Sequence, residues 1–202
     1  MPRVVVPFAG VEGKTRLHAS RSVRRALSLA MLGDVVAACV AVGATLVVTP
    51  DPDAAAIARD AGADVADDPG GGQGAAVQAA LATLAPGPAL VVNADVPCVE
   101  TGDLLALIAA TPTGGVGLVE ALDGTTNALC LPQPGVFAPL YGQESAARFR
   151  ARAAELGLDV ASVAIPNLAD DVDTLDDLER LRFRCGPRTR RCLAELPVEA
   201  LR

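Results

Sequence analysis

Two stretches of the chain place carboxylates where they can hold a metal ion. Asn93-Ala-Asp95-Val-Pro97 follows the apolar run Leu90-Val-Val. An aspartate just past the carboxyl end of a buried strand suits a divalent ion against phosphate oxygens. Magnesium is hard, prefers oxygen, and is usually held by one or two carboxylates plus substrate phosphates. Asp170-Asp171-Val172-Asp173-Thr174 offers more carboxylates. If this stretch is extended, Asp171 and Asp173 point to one side, Asp170 and Val172 to the other. Two carboxylates on one side repel unless a cation joins them, and a metal shared with Asp95 would supply that cation. The plainer alternatives are an Asx-turn or capping role for Asp95 and, for the second stretch, acids opposing a helix dipole. Asp176 and Asp177 fit the dipole role better.

Two other loops have the composition of phosphate binders. Ala9-Gly-Val-Glu-Gly13-Lys14-Thr-Arg16-Leu contains the only lysine of a chain with sixteen arginines. Its glycines let backbone approach a ligand closely, and Lys14 and Arg16 supply charge for a polyphosphate. The spacing is not that of a Walker A loop. Gly70-Gly-Gly72-Gln73-Gly74 can cradle a nucleotide and opens a helix whose N-terminus favours anions. A basic surface turn and a flexible connector are the respective alternatives. No nucleophilic constellation is credible. His18 is the only histidine and lies in a charged loop, and Cys98 reads as a packing residue.

These loops need a scaffold, and the pattern of the chain provides one. Short β-branched runs alternate with helical segments, the mark of βαβ units around a mostly parallel sheet. Strands are expected at 3–8, 45–49, 64–66, 90–93, 116–120, 127–131 and 160–165. Helices are expected from Ser20 or Ser22 to about Val42, then at 54–61, 75–84, 103–110 with Thr101 as cap, 145–156, and from Thr174. In open parallel sheets ligands bind beyond the carboxyl ends of the strands, where all four loops would fall.

Composition limits the rest. The 202 residues are 51% hydrophobic but only 2% aromatic, so the core must be built from Ala, Val and Leu. A net charge of −7 argues against nucleic-acid binding, and the hydrophobicity excludes intrinsic disorder. Five cysteines without a C-x-x-C pair imply neither a disulfide framework nor a zinc site. The apolar stretch 26–48 is interrupted by Asp34 and divided by Gly43, so a helix followed by a strand explains it better than a membrane span. A soluble, cytoplasmic protein of one domain, 1–202, is expected. Residues 182–202 would form a basic C-terminal helical extension. Arg182, Arg184, Arg188, Arg190 and Arg191 there read either as a solvated helix or as a subunit contact, the latter implying a homodimer.

Taken in order, Val4-Val-Val-Pro-Phe…Lys14-Thr-Arg16-Leu, Asn93-Ala-Asp95-Val-Pro97, Gly124-Thr-Thr126-Asn127-Ala-Leu, Tyr141-Gly142-x-x-Ser145 and Asp171-Val-Asp173-Thr resemble the 2-phospho-L-lactate guanylyltransferases of coenzyme F(420) biosynthesis. The start of the chain and its acidity look more like the archaeal form; a similar bacterial branch takes phosphoenolpyruvate. The resemblance implies a Rossmann-like, GT-A-type nucleotidyltransferase fold. It implies transfer of GMP from GTP to a small phosphorylated carboxylic acid, 2-phospho-L-lactate, giving lactyl-2-diphospho-5′-guanosine and pyrophosphate, with phosphoenolpyruvate or 3-phosphoglycerate as the alternative acceptor and Mg²⁺ held by Asp95, Asp171 and Asp173. Lys14 and Arg16 would meet the GTP phosphates. Gly13, Gly72, Gln73 and Gly74 would line the nucleotide, and Thr126, Asn127, Gly142 and Ser145 the acceptor. The chain departs from the family pattern at Gln73-Gly74, where many relatives have Leu-Asn, at Phe8-Ala9, where some carry a lysine, and at Phe149, which replaces a common histidine. A non-catalytic nucleotide-binding module is the rival reading.

Overall fold

A computed structural model describes residues 1–10, 17 and 19–196. Seven strands form one sheet: β1 (Arg3–Pro7), β2 (Thr45–Val48), β3 (Asp64–Ala66), β4 (Ala89–Val92), β5 (Val116–Glu120), β6 (Thr126–Leu131) and β7 (Val160–Ser162). Their order is β3-β2-β1-β4-β6-β5-β7. All pairings are parallel except those of β6, which runs antiparallel to both β4 and β5. The expected α/β architecture, a mostly parallel sheet flanked by helices, is what the chain adopts.

The valine run of β1 is buried on both faces, as a central parallel strand requires. Val4 and Val6 join the larger core, while Val5 enters the core on the opposite face. Leu90 and Val92 of β4, and Ala128 and Cys130 of β6, lie on the same side as Val4. Ala89, Val91, Leu129 and Leu131 face the other way. This period of two sorts the strand residues into two layers. Helices α1 (Arg21–Val40), α2 (Pro52–Asp60) and α4 (Thr101–Ala110) cover the first face; α3 (Gln73–Thr83) and α5 (Ser145–Glu155) cover the second. Short α6 (Pro166–Ala169), α7 (Leu175–Leu181) and α8 (Pro187–Glu195) complete the chain. A third apolar cluster ties Leu27 and Met31 of α1 to Cys98, Val172, Leu181 and Cys185.

Several boundaries differ from expectation for local reasons. Ser20 caps α1, its hydroxyl accepting from Val23 N. Thr101 does not cap α4 but is its first residue. Glu100 is the cap, and the Asp103 carboxylate accepts from Glu100 N at 2.8 Å. The last strand stops at Ser162 because Ile165 turns to become the cap of α6, with Pro166 at its first position. Thr174 and Asp177 form the expected capping box of α7. No helix among the described residues is long and apolar enough to cross a membrane.

Candidate active site

The carboxyl ends of β1 and β4, the loop after β3 and the start of α3 surround a cleft of about 220 Å³. Asp95 enters it from the turn after β4. Asp173 enters from the segment before α7. Asp95, Asp171 and Asp173 each present a carboxylate oxygen, all within 4.8 Å of one another, and all three residues are half-buried. The alternation expected of residues 170–173 is observed. Val172 is fully buried in the third apolar cluster, and its backbone N–H donates to Asp95 O at 2.9 Å, fixing the two acidic segments side by side. Asp170, pointing away, receives Arg180 at 2.6 Å and Arg184 at 2.8 Å.

Burial, followed by the charges of Asp95 and Asp173, pushes the Asp171 carboxyl up to about 6. Three carboxylate oxygens this close together could hold a cation, and the donor set fits a hard divalent ion such as Mg²⁺. Asp170 lies outside this cluster and is ion-paired with two guanidiniums.

A chain of amides supports the cluster. Gln73 Nε2 donates to Asn93 Oδ1 at 2.6 Å, and Asn93 Nδ2 donates to Asn127 Oδ1 and Thr126 O, both at 3.1 Å. The Asn127 side chain, itself 1% exposed, reaches Asp171. Thr126 and Ser145 are also closed to solvent, and the Ser145 hydroxyl donates to Thr126 Oγ1 at 3.1 Å. Those two hydroxyls pin the start of β6 to the start of α5. Gly142 sits exposed in the turn that opens α5.

Gly70, Gly71 and Gly72 all have positive φ, between 80° and 89°, a path that L side chains rarely follow. Gly72 caps α3 without a side-chain hydrogen bond, leaving its first amides for a ligand, and Gln73 lines the cleft. A Cβ on Gly74 would lie 2.8 Å from that of Pro139, so this glycine is required for packing against the 137–141 segment. Gly13, Lys14 and Arg16, with His18, lie outside the described residues.

The structure adds residues that the motifs did not single out. Asn93 is the hub of the amide chain. Ser28 and Met31 of α1, together with Asp68, line the cleft; the Ser28 hydroxyl is buried with no hydrogen-bond partner among the described residues. Asn93 was visible in its motif, two positions before Asp95. Ser28 gave no signal, because its place on the inner side of α1 depends on how that helix crosses the sheet.

A family model described as guanylyl transferase CofC like matches residues 2–196. The chain belongs to this family. Among curated relatives, the phosphoenolpyruvate guanylyltransferase of Conexibacter woesei is 38% identical over 185 residues, covering 87% of this chain and 83% of the relative. That of Streptomyces scabiei is 34% identical over 208 residues, covering 96% and 95%. These relatives are bacterial and carry the phosphoenolpyruvate name, so they uphold the guanylyltransferase family but not the archaeal shading of the motif resemblance. Among solved structures, a nucleotide-diphospho-sugar transferase of Desulfovibrio desulfuricans superposes with a TM-score of 0.75 at 16% identity, over 100% of this chain and 97% of the other. A nucleotidyl transferase of Methanothermobacter gives 0.66 at 15% identity, over 97% and 99%. At such identities these two likenesses establish the nucleotidyltransferase type of fold.

Proposed function

We propose that this protein transfers GMP from GTP to phosphoenolpyruvate, releasing pyrophosphate, in the route to coenzyme F(420). The observation that carries the reading is the gathering of Asp95, Asp171 and Asp173 at the mouth of a cleft in a chain of the guanylyltransferase family. The names of the bacterial relatives favour phosphoenolpyruvate over 2-phospho-L-lactate. Both acceptors are three-carbon acids phosphorylated at C2, and they differ in whether C2 is planar or tetrahedral.

In the reaction an oxygen of the acceptor phosphate attacks the α-phosphorus of GTP and the bond to pyrophosphate breaks. The acceptor is already an anion, so no strong general base and no protein nucleophile is needed, and alignment does most of the work. Mg²⁺ held by the three aspartates would supply neutralisation of the phosphate charge. Asp170, clamped by Arg180 and Arg184, and Val172, bonded to Asp95 O, keep Asp171 and Asp173 aimed at that point. The open first turn of α3 offers backbone donors, and Lys14 and Arg16 are proposed to meet the triphosphate.

Pyrophosphate release with each nucleoside triphosphate against phosphoenolpyruvate, 2-phospho-L-lactate and 3-phosphoglycerate tests this. GTP with phosphoenolpyruvate should give the highest kcat/KM, and excess chelator should abolish turnover. Preference for 2-phospho-L-lactate would overturn the acceptor assignment. Undiminished turnover in chelator would overturn the metal.

A further inference from the structure

Among the described residues, three acidic side chains line the cleft: Asp68, Asp95 and Asp173. The last two belong to the carboxylate cluster, and Asp68 stands apart from it. It follows β3, the edge strand at the opposite side of the sheet from β7, and it is half-buried. Its Oδ1 accepts the N–H of Gly70 at 2.8 Å, which fixes the carboxylate in the glycine loop. Its Oδ2 has no hydrogen-bond or ion-pair partner among the described residues. This contrasts with Asp51, held by Arg25, and with Asp170, held by two arginines. The cleft that Asp68 lines mixes apolar side chains, Pro7, Phe8, Met31 and Ala76, with polar ones, Ser28, Gln73 and Asn93.

A carboxylate held in place by a backbone amide repels a phosphate group, and between apolar side chains it suits the hydrogen-bonding edge of a flat heterocycle. An ionised carboxylate only accepts hydrogen bonds. Guanine presents two donors side by side on its Watson–Crick edge, N1–H and the N2 amino group; adenine presents an acceptor at N1 instead. We propose that Asp68 is the residue that selects guanine, its carboxylate accepting from N1–H and N2–H of the GTP base. This rests on the guanylyltransferase reading and names the group that decides its donor. A site built to hydrogen-bond a given edge rejects analogues lacking it, because its own polar group is then left unpaired.

Asp68→Asn makes the decisive test. Because Gly70 N–H requires an acceptor, the amide oxygen stays toward Gly70 and the amide NH₂ faces the cleft. That donor mismatches guanine N2–H and matches the carbonyl that xanthine carries at the same place. Pyrophosphate release should show KM for GTP rising about 100-fold in the variant, with XTP becoming the better donor and kcat changing little. Calorimetric binding of GDP and XDP reads the same exchange without turnover. In the unaltered protein, ITP, which lacks the N2 amino group, should show KM raised about 10-fold over GTP, a comparison that needs no variant to fold. A variant that keeps its preference for GTP over XTP would overturn the proposal. So would an equal loss for all nucleotides, which would place Asp68 on the ribose hydroxyls. Normal GTP turnover by the unaltered protein beside either result would leave the functional reading standing. Absence of GTP turnover, with GDP binding still exchanged for XDP binding in the variant, would instead sink the reaction and keep the base assignment.

Discussion

Asp171 occupies a position where folding opposes function. Its carboxyl is pushed up to about 6 by burial, then by Asp95 and Asp173, whereas in the unfolded chain it titrates near about 4. The native state therefore binds that proton more tightly than the unfolded state does. The stability it contributes is fully present below about pH 4 and lost as pH rises through about 6. At neutral pH the metal-free protein bears the full cost of the charge. Asp171→Asn keeps the shape and removes the charge, so with chelator at pH 7.5 it should stabilise the fold by about 1–2 kcal/mol, and at pH 4 by nothing measurable. The same substitution should abolish pyrophosphate release. Thermal melts at both pH values check the first part, and a lower Tm at pH 7.5 would contradict it. The sequence placed Asp171 and Asp173 on one side from the two-residue period of an extended segment. That Asp95 would meet them could be surmised only from the rule about strand ends. The supporting chain Gln73–Asn93–Asn127 could not be read at all, since it joins residues from three separate elements.

Among the elements, α8 shows how distant segments complete one another. Pro187 begins this helix, and its early amides need acceptors that its own cap, Gly186, cannot supply. Asp34, in the middle of α1, provides them. Its Oδ1 accepts from Arg188 N at 2.9 Å and its Oδ2 from Thr189 N at 2.8 Å. A Cβ at Gly186 would collide with the Asp34 carboxylate, so the absence of a side chain there allows the approach. From the sequence Asp34 figured only as a polar break in an apolar stretch; its use as a helix cap appears only when α1 and α8 pack. Asp34→Ala leaves the part-buried amide of Arg188 and the buried amide of Thr189 unmet and should cost about 2–3 kcal/mol, read as a lower urea midpoint with an unchanged m-value. Asp34→Asn, which keeps one acceptor, should lose less. Equal midpoints for Asp34→Ala and the unaltered protein would refute the cap.

At the scale of the molecule, the arginine-rich end divides into two parts. Arg184 turns inward to Asp170 and Asn167, and Arg182 pairs with Glu179. Arg190 and Arg191 remain exposed on α8 with no ion pair among the described residues. If the basic end joins two subunits, as proposed from the sequence, these two side chains carry the contact. Reversing both to glutamate should then lower the mass measured by sedimentation toward the monomer while leaving KM for GTP unchanged; an unchanged mass would count against a dimer formed through this face. Truncation at residue 183 would be a poorer test, because it also removes α8 from α1. The sequence by itself determined the alternation of strands and helices, the burial of β4, and the carboxylates that belong at strand ends. Each of these follows from local periodicity, burial and turn chemistry. Only the tertiary structure decided that β6 runs antiparallel between β4 and β5, that Asp34 caps α8, and that Asp68 lines the cleft with one carboxylate oxygen unpartnered among the described residues. Those outcomes depend on which distant segments meet, and that is set by packing the two faces of the sheet together, not by the spacing of residues along the chain.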